Sequence, residues 1–174
     1  MPVEYFDVKN WIKNYFGLGN NSTVFENINN SLEFILVWSV FENKYLKDSK
    51  DFKSYNEQLT DFAKAFPLVK LDINTIYGFF YNRFIQHKKI TPYYKDLGLK
   101  GETGDTVRKI LKNQKPTDLQ KLTLILLIIY KFRCNLFHGR KDPLLLKEFD
   151  DVFFNINKFL ANLLDKKWTA TKSI

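Results

Sequence analysis

The run from Leu122 to Tyr130 constrains this chain more than any other stretch. It is broken only by Thr123 and bounded by Lys121 and Lys131. A membrane-spanning helix needs roughly 20 apolar residues, so the run is far too short to be one. Thr117-x-x-Gln120 just upstream is a capping box, in which a hydroxyl and a side-chain amide satisfy free backbone N–H groups. Gly139 is a stop signal downstream. Together they predict one long apolar helix over 117–139, which the rest of the chain has to cover.

The covering segments also read as helices. A short one is predicted over Val3 to Phe16, ending at Gly17 and Gly19. A second begins at the capping box Thr23-x-x-Glu26 and runs to about Lys47, with Ile28, Leu32, Ile35, Trp38 and Phe41 spaced three or four apart. A third covers Phe52 to Phe66, where Phe52, Tyr55, Leu59, Phe62 and Phe66 form one stripe before Pro67 ends it. A fourth spans about Ile73 to Lys88, with Ile76, Phe80 and Phe84 inward. Thr91-Pro92 and Leu97 to Gly101 then mark a loop. A short basic helix is predicted over Thr106 to Lys112. Asp142-Pro143 offers the cap and first position of a last helix reaching about Lys166, with Phe149, Val152, Ile156, Phe159 and Leu163 on its core face.

No stretch alternates with the two-residue period of a strand, so the expected fold is an all-α, up-and-down bundle of about five to seven helices. There is no internal repeat and no low-complexity linker, and 174 residues are enough for one domain with a real core. With 17 Phe against 7 Gly and 5 Pro, the composition is that of a chain that folds, not of a disordered or fibrous one.

Chemistry is bounded next. A formal charge of +8 favours a polyanionic partner, either nucleic acid or an anionic membrane surface. A single cysteine, Cys134, excludes an intramolecular disulfide framework and a cysteine-based zinc site. The two histidines, His87 and His138, are too few for a His-rich metal centre, so neither metal nor cofactor is expected. Residues 1–5 show no basic region leading into an apolar run, so no signal peptide is read and a cytoplasmic protein is expected. No glycine-rich phosphate loop, paired-carboxylate motif or HExxH occurs, which argues against a nucleotide triphosphatase, a glycosidase or a metalloprotease.

The informative segment is Tyr130-Lys131-Phe132-Arg133-Cys134-Asn135-Leu136-Phe137-His138-Gly139. An arginine, a histidine five positions later and a glycine close the penultimate long helix. This resembles the signature of HEPN domains, an arginine followed after four to six residues by histidine on a helix with one more helix after it. The string is similar to HEPN domains of prokaryotic defence and toxin systems. Trp38-Ser39-Val40-Phe41-Glu42 is similar to their aromatic-rich early helix. Cys134 stands where family members often carry a polar residue, and Asn135 follows it.

The resemblance implies a single HEPN-type domain over 1–174 acting as a metal-independent endoribonuclease, a toxin or antiviral effector. Its catalytic pair would be Arg133 and His138, meeting the same pair of a second copy in one cleft across a homodimer. Histidine titrates near pH 6.5 and can take the proton from an RNA 2′-OH. Arginine gives a fixed fork of donors for the phosphate and for the charge that builds during attack. On an ideal helix five positions are about 140° apart, so the pair needs the last turn to unwind before Gly139 and the long arginine to reach across. Asn135 and Glu42 are candidate supporting residues, and Lys131, Arg140 and Lys141 a candidate RNA-guiding cluster, with a second at His87-Lys88-Lys89. Phe132, Leu136 and Phe137 are expected in the core or at a dimer contact, and the aromatic content is not read as a base-stacking platform.

Plainer readings account for the same residues. Cations favour helix C-termini, which explains Arg133, and a histidine beside a terminal glycine can be a cap. Asn135 can bond backbone near the helix end, and a mid-helix Glu42 is ordinarily solvated. The alternatives to an enzyme are therefore a catalytically silent HEPN-like module that binds RNA or a partner protein such as an antitoxin, and a plain helical scaffold.

Overall fold

A computed structural model describes residues 17, 29–46, 54–67, 71–137, 146 and 148–171, with side chains described as far as residue 165. Among these residues the chain is an all-α bundle of seven helices with one two-stranded hairpin. In order they are α1 (Asn29–Tyr45), α2 (Tyr55–Ala65), α3 (Ile73–Phe84), β1 (Ile85–Gln86), β2 (Lys89–Ile90), α4 (Pro92–Leu97), α5 (Gly101–Lys112), α6 (Asp118–Phe137) and α7 (Asp150–Thr171).

Helix α6 is the axis. Its capping box is formed, with Thr117 N–H donating to Gln120 Oε1 at 2.9 Å and Gln120 N–H to Thr117 Oγ1 at 3.3 Å. Leu122, Leu124, Ile125, Leu126, Ile128 and Ile129 are fully enclosed. A helix that is apolar all round must be surrounded, and α2, α3, α4 and α5 all pack on it. Helices α1 and α7 pack on each other in the most extensive pairing of the bundle. Phe34 of α1 meets Phe153 of α7, and Phe153 meets Phe132 of α6, joining the two layers into one core.

Several boundaries differ from expectation, each for a local reason. The Thr23 capping box, the 3–16 helix, Ile28 and Phe52 lie outside the described residues. On α1 the buried face is Phe34, Trp38 and Phe41, while Leu32 is 49% exposed and Ile35 only partly covered. The larger rings bury more apolar area, so the helix turns them inward and not the aliphatic stripe. The α2 stripe of Leu59, Phe62 and Phe66 is buried as expected. That helix starts later than Phe52, at a second capping box, Ser54-x-x-Glu57.

Helix α3 stops at Phe84, four residues early. The chain there turns through His87 and Lys88, at φ 49° and 63°, and pairs Ile85 with Ile90. A two-residue hairpin turn with both φ positive is the tight turn that usually carries Asn-Gly, so without glycine it has no sequence signature. Thr91 closes the end of α3, its N–H donating to Phe84 O at 2.9 Å and its hydroxyl to Arg83 O at 2.8 Å.

The stretch expected as a loop contains α4, which has Pro92 at its start and Gly98 as a left-handed cap at φ 70°. Proline first and glycine last are helix-boundary signals as much as loop signals. Helix α5 begins five residues before the predicted basic helix. Gly104 sits where a Cβ would lie 2.9 Å from Leu99 O, so only glycine allows this close approach. The continuous part of α7 starts at Asp150 after a 3₁₀ turn at 148–149, later than Asp142-Pro143, which lies outside the described residues. Val152, Ile156, Phe159 and Leu163 are buried and Phe149 is partly so.

The aromatic stripe of α1 yields a test of the core. Phe41 is fully buried among Trp38, Tyr45 and Phe62, at centroid distances of 5.3, 5.5 and 5.3 Å. Phe41→Ala is expected to cost about 3–5 kcal/mol, read as a lower denaturant midpoint with an unchanged slope.

Candidate functional site

The C-terminal turns of α6 carry Arg133, and they meet α1 along a seam packed with aromatic side chains. Trp38 and Glu42, four residues apart, share one face of α1. Tyr130 and Arg133, three apart, share one face of α6. The rings of Trp38 and Tyr130 are 6.0 Å apart, and Tyr55 of α2 stacks on Tyr130 at 5.3 Å. One turn further along, Arg133 Nη2 donates to Glu42 Oε1 at 3.3 Å, with both side chains 24% exposed. The guanidinium also lies 4.9 Å from the centre of the Phe137 ring, which is itself 51% exposed.

Two donors at this seam are buried without a hydrogen bond from the protein, Trp38 Nε1 and Arg133 Nε. Burial raises the Tyr130 pKa well above its ordinary value, with the neighbouring Cys134 thiol pushing the same way, so the phenol is neutral at any physiological pH. Among the described residues no group of three or more His, Cys, Asp or Glu is placed to hold a metal ion. No described helix is long and apolar enough to cross a membrane.

The other predicted residues separate into groups. Asn135 is two positions beyond Arg133, about 200° around the helix, and points away from it. It is buried, and its Nδ2 donates to Leu97 O at 3.0 Å. That bond satisfies a carbonyl at the C-terminal end of α4 and ties α4 to α6. Lys131 lies on the same face as Asn135 and is turned toward Gly98, where a Cβ would come within 3.9 Å of its Cε. Neither residue is therefore brought to Arg133, whereas Glu42 is. His138, Arg140 and Lys141 lie outside the described residues. His87 and Lys88 form the exposed turn of the hairpin, and Lys89 opens β2 beside it.

Tyr130 and Tyr55 also line this contact, which nothing in their sequence spacing signals. Phe137, expected in the core or at a dimer contact, lies outside the core of this chain. The signal for Phe137 was its spacing, since it is four residues after Arg133 and on the same face. Cavities of about 290 Å³ between α3 and α7, and of about 530 and 650 Å³ along α2, α5 and α6, are all lined without Arg133 or Glu42.

No family model, curated protein or solved structure matches this chain.

Two outcomes are expected from this geometry. Asn135→Ala strips a buried carbonyl of its partner and should destabilise the fold by about 1–3 kcal/mol, measured by chemical denaturation. Tyr130 titrates near 10 when unfolded and higher when folded. Its contribution is therefore intact below about pH 10 and lost as pH rises beyond that value. Tyr130→Phe should make alkaline unfolding less steep, followed by helical circular dichroism between neutral pH and strong alkali.

Proposed function

We propose that this chain is a metal-independent endoribonuclease of the HEPN type, with Arg133 and His138 as its catalytic pair. The observation that supports this most is the setting of Arg133. It stands at the end of a helix in an all-α bundle, held by Glu42 and only partly buried, five residues before the one histidine near it in sequence. An arginine fixed by a carboxylate presents its remaining donors in a set direction, as phosphate recognition requires.

In this reading His138 accepts the proton of a ribose 2′-OH, and the 2′-oxygen attacks the adjacent phosphorus. Arg133 neutralises the charge that builds on the phosphoryl oxygens. The bond to the 5′-oxygen breaks, and that oxygen takes a proton as it leaves. The products are a 2′,3′-cyclic phosphate and a 5′-OH end, and no step calls for a metal. RNA approaches over the surface at the end of α6, where Arg133 is partly exposed, which suits a polymer substrate and a net charge of +8. The expected assembly is a homodimer with a composite cleft, and the expected setting is a toxin or antiviral effector restrained by an antitoxin or other regulator.

A second reading is favoured by one observation. The Arg133 fork is already engaged by Glu42 and Phe137, as it would be in a silent module that binds RNA or a partner protein.

Cleavage of a mixed RNA in EDTA separates the two. The enzyme should leave cyclic-phosphate ends, and His138→Ala and Arg133→Ala should each lower the rate by about a hundredfold or more while staying folded. Glu42→Gln should lower it less. Equal cutting by wild type and both variants would remove the pair from the chemistry, and an inert wild type would put the binding module first.

A further inference from the structure

Helices α2 and α5 both pack on α6, and the space between them is left unfilled. They run in the same direction. Near their starts, Asn56 Nδ2 donates to Thr103 Oγ1 at 2.9 Å, and near their ends Lys64 and Lys109 line one cavity. The cavities of about 530 and 650 Å³ share Thr60, Lys64, Thr106 and Thr123, so they are two parts of one groove floored by α6. The Asn56–Thr103 bridge crosses the 650 Å³ part, among Glu57, Asp61 and Glu102. The 530 Å³ part lies beyond the bridge and carries both lysines.

The walls at the lysine end are less polar than their residue types suggest. Thr60 Oγ1 donates to Asn56 O at 2.8 Å and Thr123 Oγ1 to Leu119 O at 2.9 Å, so each hydroxyl is engaged by its own helix and the methyl is left to the groove. Asn113 Nδ2 donates to Gln120 Oε1 at 3.3 Å, and Asn113 Oδ1 accepts from Lys115 N–H at 3.0 Å. Ile110 and the 38% exposed Leu119 complete the lining. An ordered water needs roughly two to four polar partners, and such a surface supplies few. The charges at this end are cationic. Lys109 has no hydrogen bond or ion pair among the described residues, and Lys64 shares one exposed contact with Asp61 at 3.1 Å. A volume of about 530 Å³ is that of a small-molecule site. A partner helix, about 10–12 Å across with its side chains, cannot lie along the groove while the Asn56–Thr103 bridge crosses it.

We propose that the groove between α2 and α5 binds a small organic anion with an apolar body, of the fatty-acid or aromatic-acid kind. The body rests on Leu119, Ile110 and the threonine methyls, and the acid group lies between Lys64 and Lys109. Glu57, Asp61 and Glu102 fix the direction, because they repel the acid group from the bridged end. The site is separate from the Arg133 seam and does not depend on the ribonuclease reading.

The test titrates the full-length protein with 1-anilinonaphthalene-8-sulfonate, an aromatic acid whose fluorescence rises when it leaves water. A saturable site should appear. Decanoate should displace the dye, and decanol, with the same chain and no charge, should compete roughly tenfold less well. Lys64→Gln and Lys109→Gln, both at exposed positions, should each weaken dye binding by about twofold to fivefold, the worth of an exposed charge pair. Thr106→Trp fills the groove from α5 and should abolish binding, with circular dichroism checking that the bundle is intact. Should the tryptophan unfold the chain, the two lysine variants decide. Arg133→Ala should bind the dye as wild type does. Dye binding that survives Thr106→Trp in a folded variant, or that neither lysine change weakens, overturns the inference. So does equal displacement by decanol, or loss of the dye site in Arg133→Ala, which would put the anion at the α6 seam.

Discussion

Everything in this bundle depends on enclosing α6. From Leu122 to Ile129 that helix has no polar stripe to turn toward water, and exposing it would cost roughly 1.5–3 kcal/mol for each large side chain. Four helices share the work, and the short ones are as necessary as the long ones. Helix α4 has only six residues, yet it covers part of α6 and is fastened there by the Asn135 bond to Leu97 O. A buried amide that donates to a helix-terminal carbonyl solves two problems together, because each group would be costly to bury alone.

The same constraint explains where the seam opens. Helix α6 needs cover as far as Phe132, and beyond that point its residues become mixed. Arg133 is the first charged side chain after the enclosed stretch that faces α1. Helix α1 commits its own best face to α7, so it approaches α6 only through long side chains. Trp38 and Tyr130 fill the contact between the two helices, with Tyr55 of α2 stacked on Tyr130, and the Glu42–Arg133 pair lies at one end. Filling the gap with rings leaves Trp38 Nε1 and Arg133 Nε buried without a protein acceptor. Unsatisfied buried donors are uncommon in folded proteins, and here two of them lie along one short contact.

The sequence was legible where one physical signal dominated. The apolar run and the Thr117-x-x-Gln120 box predicted α6, and the Phe80–Phe84 and Val152–Ile156 spacings predicted the faces of α3 and α7. It was misleading where two signals competed. Leu32 and Ile35 have the right period to face the core, but Phe34, Trp38 and Phe41 have it too and bury more area. It was silent where structure arises from context. His87 and Lys88 adopt left-handed backbone that is uncommon outside glycine, because the Ile85–Ile90 pairing and the Thr91 bonds around them require a tight turn. The site divides in the same way. Glu42 and Arg133 are 91 positions apart in sequence, and aromatic likeness alone nominated the first of them. Asn135 and Lys131, each two positions from Arg133 in sequence, are carried to the opposite side by the helical period.

Whether the Glu42 contact would obstruct a phosphate is a matter of magnitude. The two charges meet through a single donor at 3.3 Å with about a quarter of each side chain open. A pair near a protein surface has a gross attraction of about 4 kcal/mol at 4 Å, most of which desolvation and side-chain ordering remove, leaving on the order of 1 kcal/mol. Hydrogen bonds to charged groups contribute about 1.5–3 kcal/mol each. Two of them from the free edge of the guanidinium to a phosphate would thus exceed the Glu42 contact without displacing it, since the fork has five N–H donors and Glu42 uses one. At that strength Glu42 orients the arginine and does not lock it. Taking Glu42 away would leave a mostly buried cation without its carboxylate partner, and the alignment of its donors would be lost before its charge was.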